Sequence, residues 1–284
     1  MNISKDSKIL VIGLGLIGGS YCQGLTKKGY YVGGIDKDKN AIKYALENNL
    51  IKVGETRYSK EFISSFDIVI FALYPKKFAQ IILEIKDYFK DGAIITDTTG
   101  VKGSLITKIQ KELPKNVEFI GAHPMAGKEV CGIKNASCEI FKNANYIITP
   151  TRKNTQNGIL VCSKIGEELN FRKISILSPK KHDEMIGFLS QLTHILAISL
   201  MTCQDSKNMV DYTGDSFRDL TRIAKINEKM WAELFEMNKA PLLKEMNLFL
   251  DKFIEIKNLI EEDNFEKLKE IMKKSTKNRE LFDK

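Results

Sequence analysis

The chain is poor in the residues that build disulfide frameworks and metal clusters. Its five cysteines are an odd number without a C-x-x-C pair, at Cys22, Cys131, Cys138, Cys162 and Cys203. This pattern excludes a disulfide scaffold or a zinc cluster as the organising feature, and we expect no bound metal. The chain has three histidines and one tryptophan in 284 residues. Each histidine is therefore worth weighing as a site residue.

Long blocks of like charge are also missing, although the net charge is +8. Lysine is spread through nearly every segment, so we expect a solvated basic surface and no nucleic-acid partner. We expect no membrane partner, because no charge-free apolar run of 18 residues stands out as a membrane span. The first residues lead directly into an apolar run and leave no room for a signal peptide, which predicts a cytoplasmic protein.

A glycine-rich turn in residues 8–20, KILVIGLGLIGGS, follows the first apolar run. In a strand–turn–helix, the first glycine of G-x-G-x-x-G permits the tight turn and the second lets backbone approach a pyrophosphate. The third lets the helix pack closely on the strand. A second apolar run ends in Asp36, 18 positions after Gly18, where a carboxylate can bind ribose hydroxyls. Free N–H groups at the helix start favour phosphate. These features predict a dinucleotide site formed by Gly13, Leu14, Gly15, Leu16, Ile17, Gly18 and Asp36.

Apolar runs alternate with helical patterns as far as about residue 177. Strands are predicted at residues 9–12, 31–35, 67–73, 93–96, 118–121, 145–149 and 171–177. This rhythm indicates an α/β fold of Rossmann type, a doubly wound parallel sheet with helices on both faces. From Ser178-Pro179, a helix-start signal, the pattern is almost wholly helical, with breaks near 211–216 and at Ala240-Pro241. We therefore predict a dinucleotide-binding domain at 1–177 and a helical substrate and dimerisation domain at 178–284.

The histidines differ in their surroundings. His123 follows a predicted strand within GAHPMAGKE, and Pro124 holds it extended at the strand tip. We interpret it as a general base, with a turn-capping histidine as the alternative. His194 lies in a helix, where a polar notch and a satisfied core histidine are equally compatible with the pattern. His182 falls in the first turn of that helix, and we interpret it as a structural cap.

Arg222 and Arg218 are i, i+4 neighbours within FRDLTRIA. An arginine fork suits the carboxylate of an organic acid, but a surface pair with Asp219 or Glu228 fits the spacing equally well. A nicotinamide enzyme needs a base, a carboxylate fork and donors that fix the nicotinamide. His123, Arg222 and the turn DTTGVK at 97–102 supply candidates for these roles.

Five motifs together resemble the prephenate (or arogenate) dehydrogenase family of tyrosine biosynthesis. They are GLGLIGGS at 13–20, DTTGVKG at 97–103, GAHPMAGKE at 121–129, SQLTHILA at 190–197 and FRDLTRIA at 217–224. The resemblance spans both predicted domains in the right order. It implies NAD-dependent oxidative decarboxylation of prephenate to 4-hydroxyphenylpyruvate by a homodimer.

The same resemblance implies roles for individual residues. His123 would take the proton of the ring hydroxyl, and Arg222 would bind a substrate carboxylate with Arg218 nearby. His194 and Glu129 would line the pocket, and Trp231 would reach the neighbouring subunit's site. Two positions depart from the family pattern. Gly100 replaces a serine, so either Thr98 or Thr99 substitutes or that contact is missing, and Gln191 replaces a histidine.

Three alternatives remain open at this stage. Arogenate dehydrogenase has the same chemistry with an amino acid side chain on the substrate. A β-hydroxyacid dehydrogenase has a similar layout but relies on a catalytic lysine in its helical domain. A non-catalytic dinucleotide sensor would retain the glycine turn and Asp36 but would have no use for His123. Asp36 predicts NAD over NADP, because its carboxylate should repel a 2′-phosphate.

Overall fold

The computed structural model describes residues 4–205 and 207–283. An eight-stranded sheet forms the first part of the chain, in the order β3-β2-β1-β4-β5-β6-β7-β8. Its strands are β1 (Lys8–Ile12), β2 (Tyr31–Ile35), β3 (Val53–Glu55), β4 (Ile68–Phe71), β5 (Ile94–Asp97), β6 (Glu118–Pro124), β7 (Asn145–Thr149) and β8 (Lys173–Ile176). The connecting helices are α1 (Leu16–Lys27), α2 (Lys39–Glu47), α3 (Lys60–Ile63), α4 (Pro75–Glu84), α5 (Gly103–Glu112) and α6 (Gln156–Glu168).

Strand alternation gives the sheet two apolar faces. Ile9 and Val11 of β1 enter one core cluster, and Leu10 and Ile12 enter the other. Successive side chains of a strand point to opposite faces, so a continuous apolar run indicates a strand covered on both sides. The predicted Rossmann-type fold with helices on both faces is confirmed. The order of strands reverses between β1 and β4, which is where such sheets bind ligands.

The predicted parallel sheet has one antiparallel pairing. β6 and β7 are antiparallel, from Gly121↔Thr149 to Pro124↔Tyr146, and β8 pairs parallel with β7. The connection between β6 and β7 contains short 3₁₀ turns (Ile133–Asn135 and Cys138–Phe141) in place of a crossover helix. A chain that returns without a crossover pairs antiparallel. This pairing also extends β6 to Pro124, so His123 lies within the strand and not after it.

Two short elements were not predicted from the sequence. β3 has three half-buried residues at the sheet edge, and α3 has four residues. Neither is long enough to show a period of apolar residues, which is the signal that revealed the other elements.

Helices follow β8, as predicted from the Ser178-Pro179 signal. They are α7 (Pro179–Ile186), a π-helical turn (Gly187–Leu192), α8 (Thr193–Thr202), α9 (Asp215–Thr221), α10 (Glu228–Met237), α11 (Lys239–Glu261) and α12 (Phe265–Arg279). The Ser178 hydroxyl accepts a hydrogen bond from Lys181 N and caps α7. The break predicted at Ala240-Pro241 lies instead at Asn238, between α10 and α11. Pro241 lies in the first turn of α11, where its missing N–H costs no helical hydrogen bond.

The expectation that the chain contains no charge-free apolar run of 18 residues is wrong. Pro179–Thr202 is long and apolar enough to span a membrane by length and composition alone, and residues 185–202 contain no Asp, Glu, Lys or Arg. This segment also contains Gln191, whose buried amide is hydrogen-bonded to α10 and Asn238. Because that amide is satisfied by protein groups, the segment packs as a helix of this fold.

By compactness the chain forms two units, which meet in the sequence between Asn238 and Lys239. The first contains the sheet and helices α1 to α10. The second is a helical hairpin in which Asp263 has a positive φ of 52° and Asn264 caps α12. The change from sheet to helices occurs near residue 178, while the domain division at 177/178 remains a prediction.

Candidate active site

The glycine turn between β1 and α1 requires glycine at two positions. Gly13 has φ +96°, and a Cβ there would lie 2.5 Å from Ala72 O. A Cβ on Gly18 would lie 1.8 Å from Gly13 O. At Gly15, by contrast, an added Cβ would have no neighbour within 4 Å among the described residues. The backbone at Gly15 is therefore open to a ligand.

Gly15 is also the N-cap residue of α1, and within the described parts of the chain no side chain caps this end. The first N–H groups of a helix have no intrahelical partner, and the helix dipole is positive there. Within the stretch Leu14 to Gly18, the open backbone at Gly15 and the uncapped start of α1 therefore suit a phosphate group.

Asp36 lies at the end of β2 beside this turn. Its carboxylate accepts hydrogen bonds from Leu14 N at 2.7 Å and from Asp38 N at 2.9 Å. The side chain is only partly buried, so its remaining lone pairs are accessible. Asp36 therefore fixes the glycine turn and still has acceptors for the hydroxyls of a ribose.

The turn after β5 contains the two predicted threonines. Thr98 N donates to Phe71 O at 3.0 Å, and the residue is partly exposed next to β4. Thr99 is buried, and its hydroxyl contacts the Asp97 carboxylate and Val101 O. This hydroxyl is occupied in the protein interior, which argues against the predicted contact between Thr99 and substrate.

Lys102 is fully buried behind the same turn. Its Nζ lies 2.6 Å from Asp97 Oδ2, 2.6 Å from Ala122 O and 3.2 Å from Thr99 Oγ1. Three oxygen acceptors match the three N–H donors of an ammonium group. The lysine therefore connects β5, the turn and β6, and it contacts β6 at the residue that precedes His123.

His123 does not stand alone, and the interpretation of His182 as only a structural cap is wrong. Nδ1 of His123 lies 2.9 Å from Nε2 of His182, and Nδ1 of His182 lies 2.7 Å from Asp183 Oδ1. The Asp183 carboxylate also accepts hydrogen bonds from Lys102 N at 2.9 Å and Gly103 N at 2.7 Å. Because 59 residues separate the two histidines, sequence periodicity gave no signal of this contact.

Nε2 is the other nitrogen of the His123 ring, and it faces the turn after β5. A Cβ built on Gly100 would lie 3.7 Å from Nε2 and 3.3 Å from Leu234 Cδ2. His123 as a whole residue is partly exposed. Glycine at position 100 avoids a side chain against Nε2 of the predicted base.

The surroundings keep both imidazoles neutral. Desolvation by the surrounding protein lowers the pKa of His123 well below its ordinary value, and His182 and Lys102 lower it further. Burial also lowers the pKa of His182, although its hydrogen bond to Asp183 acts in the opposite direction. A histidine with a lowered pKa is unprotonated at neutral pH and can accept a proton.

A second group of predicted residues meets around the loop that follows β6. Arg222 Nη1 forms an ion pair with Glu129 Oε1. His194 Nδ1 lies 2.9 Å from Ser190 O, and its ring lies on that of Trp231 with centroids 3.7 Å apart. Desolvation lowers the pKa of His194, which also senses the charges of Glu129 and Arg222. Trp231 thus contacts His194 of its own chain.

Arg218 is in a different position from Arg222. α9 ends at Thr221, and Arg218 pairs with Asp215 at 3.2 Å on an exposed surface. The two guanidinium groups therefore have different partners, Asp215 and Glu129, and neither pair uses the partners that the sequence suggested.

Gln191, which occupies the place of a family histidine, is a packing residue. It is buried, its Nε2 donates to Leu234 O at 2.9 Å, and its Oε1 accepts from Asn238 Nδ2 at 2.7 Å. Asn238 also donates to Asp183 O at 2.9 Å. These bonds join the π-helical turn to α10 and hold the segment that presents His182 and Asp183.

A neutral imidazole at the carboxyl ends of β-strands, together with an open phosphate cradle and an accessible arginine, defines a dinucleotide-dependent oxidoreductase. The nucleotide-binding domain of prephenate dehydrogenase matches residues 22–175, and the dimerization domain of prephenate dehydrogenase matches residues 178–274. The chain belongs to the prephenate dehydrogenase family.

Individual relatives agree with this assignment. The chain is 29% identical to the prephenate dehydrogenase of Bacillus subtilis over 279 residues, which is 94% of this chain and 74% of that protein. It is 27% identical to the cyclohexadienyl dehydrogenase of Zymomonas mobilis over 95% of this chain and 94% of that protein. Among solved structures, prephenate dehydrogenase from A. aeolicus in complex with hydroxyphenyl propionate and NAD+ matches with a TM-score of 0.90. That match has 27% identity and covers 100% of both chains.

Proposed function

We propose that this protein is a prephenate dehydrogenase, which converts prephenate to 4-hydroxyphenylpyruvate with loss of CO2. The observation that carries the proposal is His123, a neutral imidazole at the carboxyl end of β6 with Nε2 next to Gly100. A non-catalytic dinucleotide sensor would need the glycine turn and Asp36 but no such base. A β-hydroxyacid dehydrogenase would use a lysine of the helical domain in its place.

NAD fits the cradle described above. The open backbone at Gly15 and the first turn of α1 would hold the pyrophosphate, and Asp36 would hold the ribose. Thr98 lies at the end of β5 and is a candidate contact for the nicotinamide end. The bound cofactor supplies the acceptor for the hydride that leaves C4 of the substrate. NADP is disfavoured because Asp36 would face its 2′-phosphate.

The chain's own residues bind the substrate and remove its proton. Nε2 of His123 accepts the proton of the C4 hydroxyl while the C4–H electron pair leaves as hydride, and the O–H electron pair forms a C4=O bond. When CO2 is lost, the electrons of its bond to the ring convert this carbonyl to a phenolate, which takes the proton back from His123. Loss of the ring carboxylate then produces an aromatic ring, so the protein mainly has to orient the substrate. Arg222 binds a substrate carboxylate and exchanges Glu129 for it. His194 and Glu129 line the same region, and Arg218 lies further out on the surface.

Arogenate dehydrogenase is the close alternative, because it differs in one substituent of the substrate. Steady-state kcat/KM with prephenate and with arogenate separates the two, and a preference for arogenate would overturn the first choice. Replacement of His123 by Asn tests the catalytic assignment. We expect turnover to fall by a factor on the order of 10² to 10⁴, the usual contribution of a general base, while NAD still binds. Unchanged turnover would remove His123 from the mechanism.

We also propose that the protein is a cytoplasmic homodimer whose subunits meet through the helical part. The matched dimerization domain supports this, as do exposed apolar side chains of the helical segment such as Phe188 and Leu189. Light scattering coupled to size-exclusion chromatography should give twice the 32.3 kDa chain mass. A monomer at micromolar concentration would contradict this.

A further inference from the structure

The line His123–His182–Asp183 fixes where each proton lies. Both oxygens of Asp183 accept backbone N–H groups at the start of α5, so both act as hydrogen-bond acceptors. His182 Nδ1 therefore carries a hydrogen and donates it to Asp183 Oδ1. Burial keeps His182 neutral, because it lowers its pKa. In a neutral imidazole with a hydrogen on Nδ1, Nε2 has only a lone pair.

The same reasoning extends to His123. Since Nε2 of His182 can only accept, the hydrogen in the 2.9 Å contact belongs to Nδ1 of His123. Nε2 of His123, which lies next to Gly100, then has no hydrogen and carries a lone pair. If His182 were turned to the opposite tautomer, His123 would carry its hydrogen on Nε2 and could not act as a base there.

We propose that His182 and Asp183 are positioning residues that hold His123 in the Nδ1–H tautomer and thereby make Nε2 the base. The proposal rests on the proposed function. In the chemical step the substrate O–H bond breaks and an N–H bond forms at Nε2. The O–H electron pair becomes the second bond of C4=O, and the C4–H electron pair leaves as hydride, for which bound NAD would be the acceptor. His123 becomes an imidazolium whose Nδ1–H still donates to His182, and Asp183 provides a negative charge in line with it.

The other charged groups around His123 are balanced. The Lys102 ammonium disfavours an imidazolium, but it is paired with Asp97 at 2.6 Å. His182 is neutral, and Asp183 is anchored by α5 rather than by a cation. Among these residues, Asp183 is therefore the negatively charged group without a cationic side-chain partner. Its contact with His182 connects it to His123. This arrangement follows the logic by which a buried carboxylate orients a catalytic imidazole in hydrolases.

The tautomer can be measured without substrate. Three histidines in the whole chain make a long-range ¹H–¹⁵N spectrum of the ¹⁵N-histidine-labelled protein simple to assign, with His123→Asn and His194→Asn variants as references. We expect His123 to be neutral at pH 7.5 with its hydrogen on Nδ1. A His123 with its hydrogen on Nε2 would overturn the proposal.

Two substitutions of His182 separate positioning from packing. His182→Phe keeps a ring in the buried site but removes the acceptor, whereas His182→Gln offers a carbonyl to His123 Nδ1 and an amide N–H to Asp183. We expect kcat to fall on the order of 10² to 10³-fold in the Phe variant, with KM and the Kd for NAD within about threefold of wild type. The Gln variant should recover most of that loss.

The outcomes remain distinguishable. Equal losses of kcat in the Phe and Gln variants, or a Phe variant with wild-type kcat, would overturn the positioning role. If the wild-type protein released no CO2 from prephenate or arogenate, the proposed function would fail. The spectrum would still decide the tautomer of His123 in that case.

Discussion

In the ion pair between Arg222 and Glu129, the Glu129 carboxylate occupies the position that we propose for the substrate carboxylate. Their ion pair is accessible to solvent, with 64% and 39% of the side chains exposed. Exposed pairs contribute little to stability, so we interpret the pair as a binding group with a temporary partner. A substrate carboxylate would take over the acceptor position that Glu129 holds.

This interpretation predicts opposite effects from the two partners. Arg222→Gln removes the fork, so KM for prephenate should rise by a factor on the order of 10², a few kcal/mol for a charge-assisted hydrogen bond. Glu129→Gln removes the competing carboxylate, and KM should fall or stay constant. Steady-state kinetics at constant ionic strength measures both. A KM that rises as strongly in Glu129→Gln as in Arg222→Gln would mean that Glu129 itself holds the substrate.

The sequence could predict some of these side chains and not others. His123 was accessible to prediction because the proline after it and the apolar run before it fix it at a strand tip. His182, Asp183 and Lys102 were not, since their roles depend on contacts between α7, the turn after β5 and β6. The inward orientation of the Thr99 hydroxyl was not predictable for a related reason, because spacing does not reveal which hydroxyl faces the protein interior.

Among the secondary-structure elements, β5, β6 and the start of α5 are held together by one buried ion pair. Lys102 and Asp97 have side-chain exposures of 0% and 1%. Removal of one partner of a buried pair leaves an uncompensated charge, which is far more costly than removal of both.

We therefore expect Lys102→Met to lower the free energy of unfolding by about 3–5 kcal/mol. The double variant Lys102→Met/Asp97→Asn should be more stable than Lys102→Met alone. Urea unfolding followed by circular dichroism measures both, and Lys43→Met provides the control, because Lys43 pairs with Glu47 on an exposed helix face. A Lys102→Met protein as stable as the control would show that the pair is dispensable.

The elements themselves were predictable to different degrees. Strands with continuous apolar runs and helices with clear caps, such as α7 after Ser178, were found near their true bounds. β7 was also found at its true bounds, but its antiparallel direction was not predicted, because that direction depends on the connection after β6 and not on the residues of the strand. The break at Asn238 was misplaced by two residues because Pro241 signals the first turn of a helix as well as the end of the preceding one.

For the complete chain, the buried histidines make stability depend on pH. The pKa values of His123 and His182 are lowered in the folded protein, His123 by desolvation with the charges of His182 and Lys102, and His182 chiefly by burial. In the unfolded chain both return to about 6.5. Below that pH the unfolded state binds more protons than the folded state, so stability must fall as the pH decreases.

The expected slope is about 1.4 kcal/mol per pH unit for each histidine that is protonated only in the unfolded state. The loss should begin near pH 6.5 and continue down to the lowered pKa values of the folded protein. Carboxylates such as Asp67 do not contribute in this window, because hydrogen bonds from Lys90 and Lys8 N outweigh burial and lower its pKa below the ordinary 3.8.

Urea midpoints at pH 7.5, 6.5 and 5.5, at one protein concentration, measure the slope. In His182→Phe the slope should be smaller by the share of one histidine, and an unchanged slope would mean that His182 is accessible to protons in the folded state.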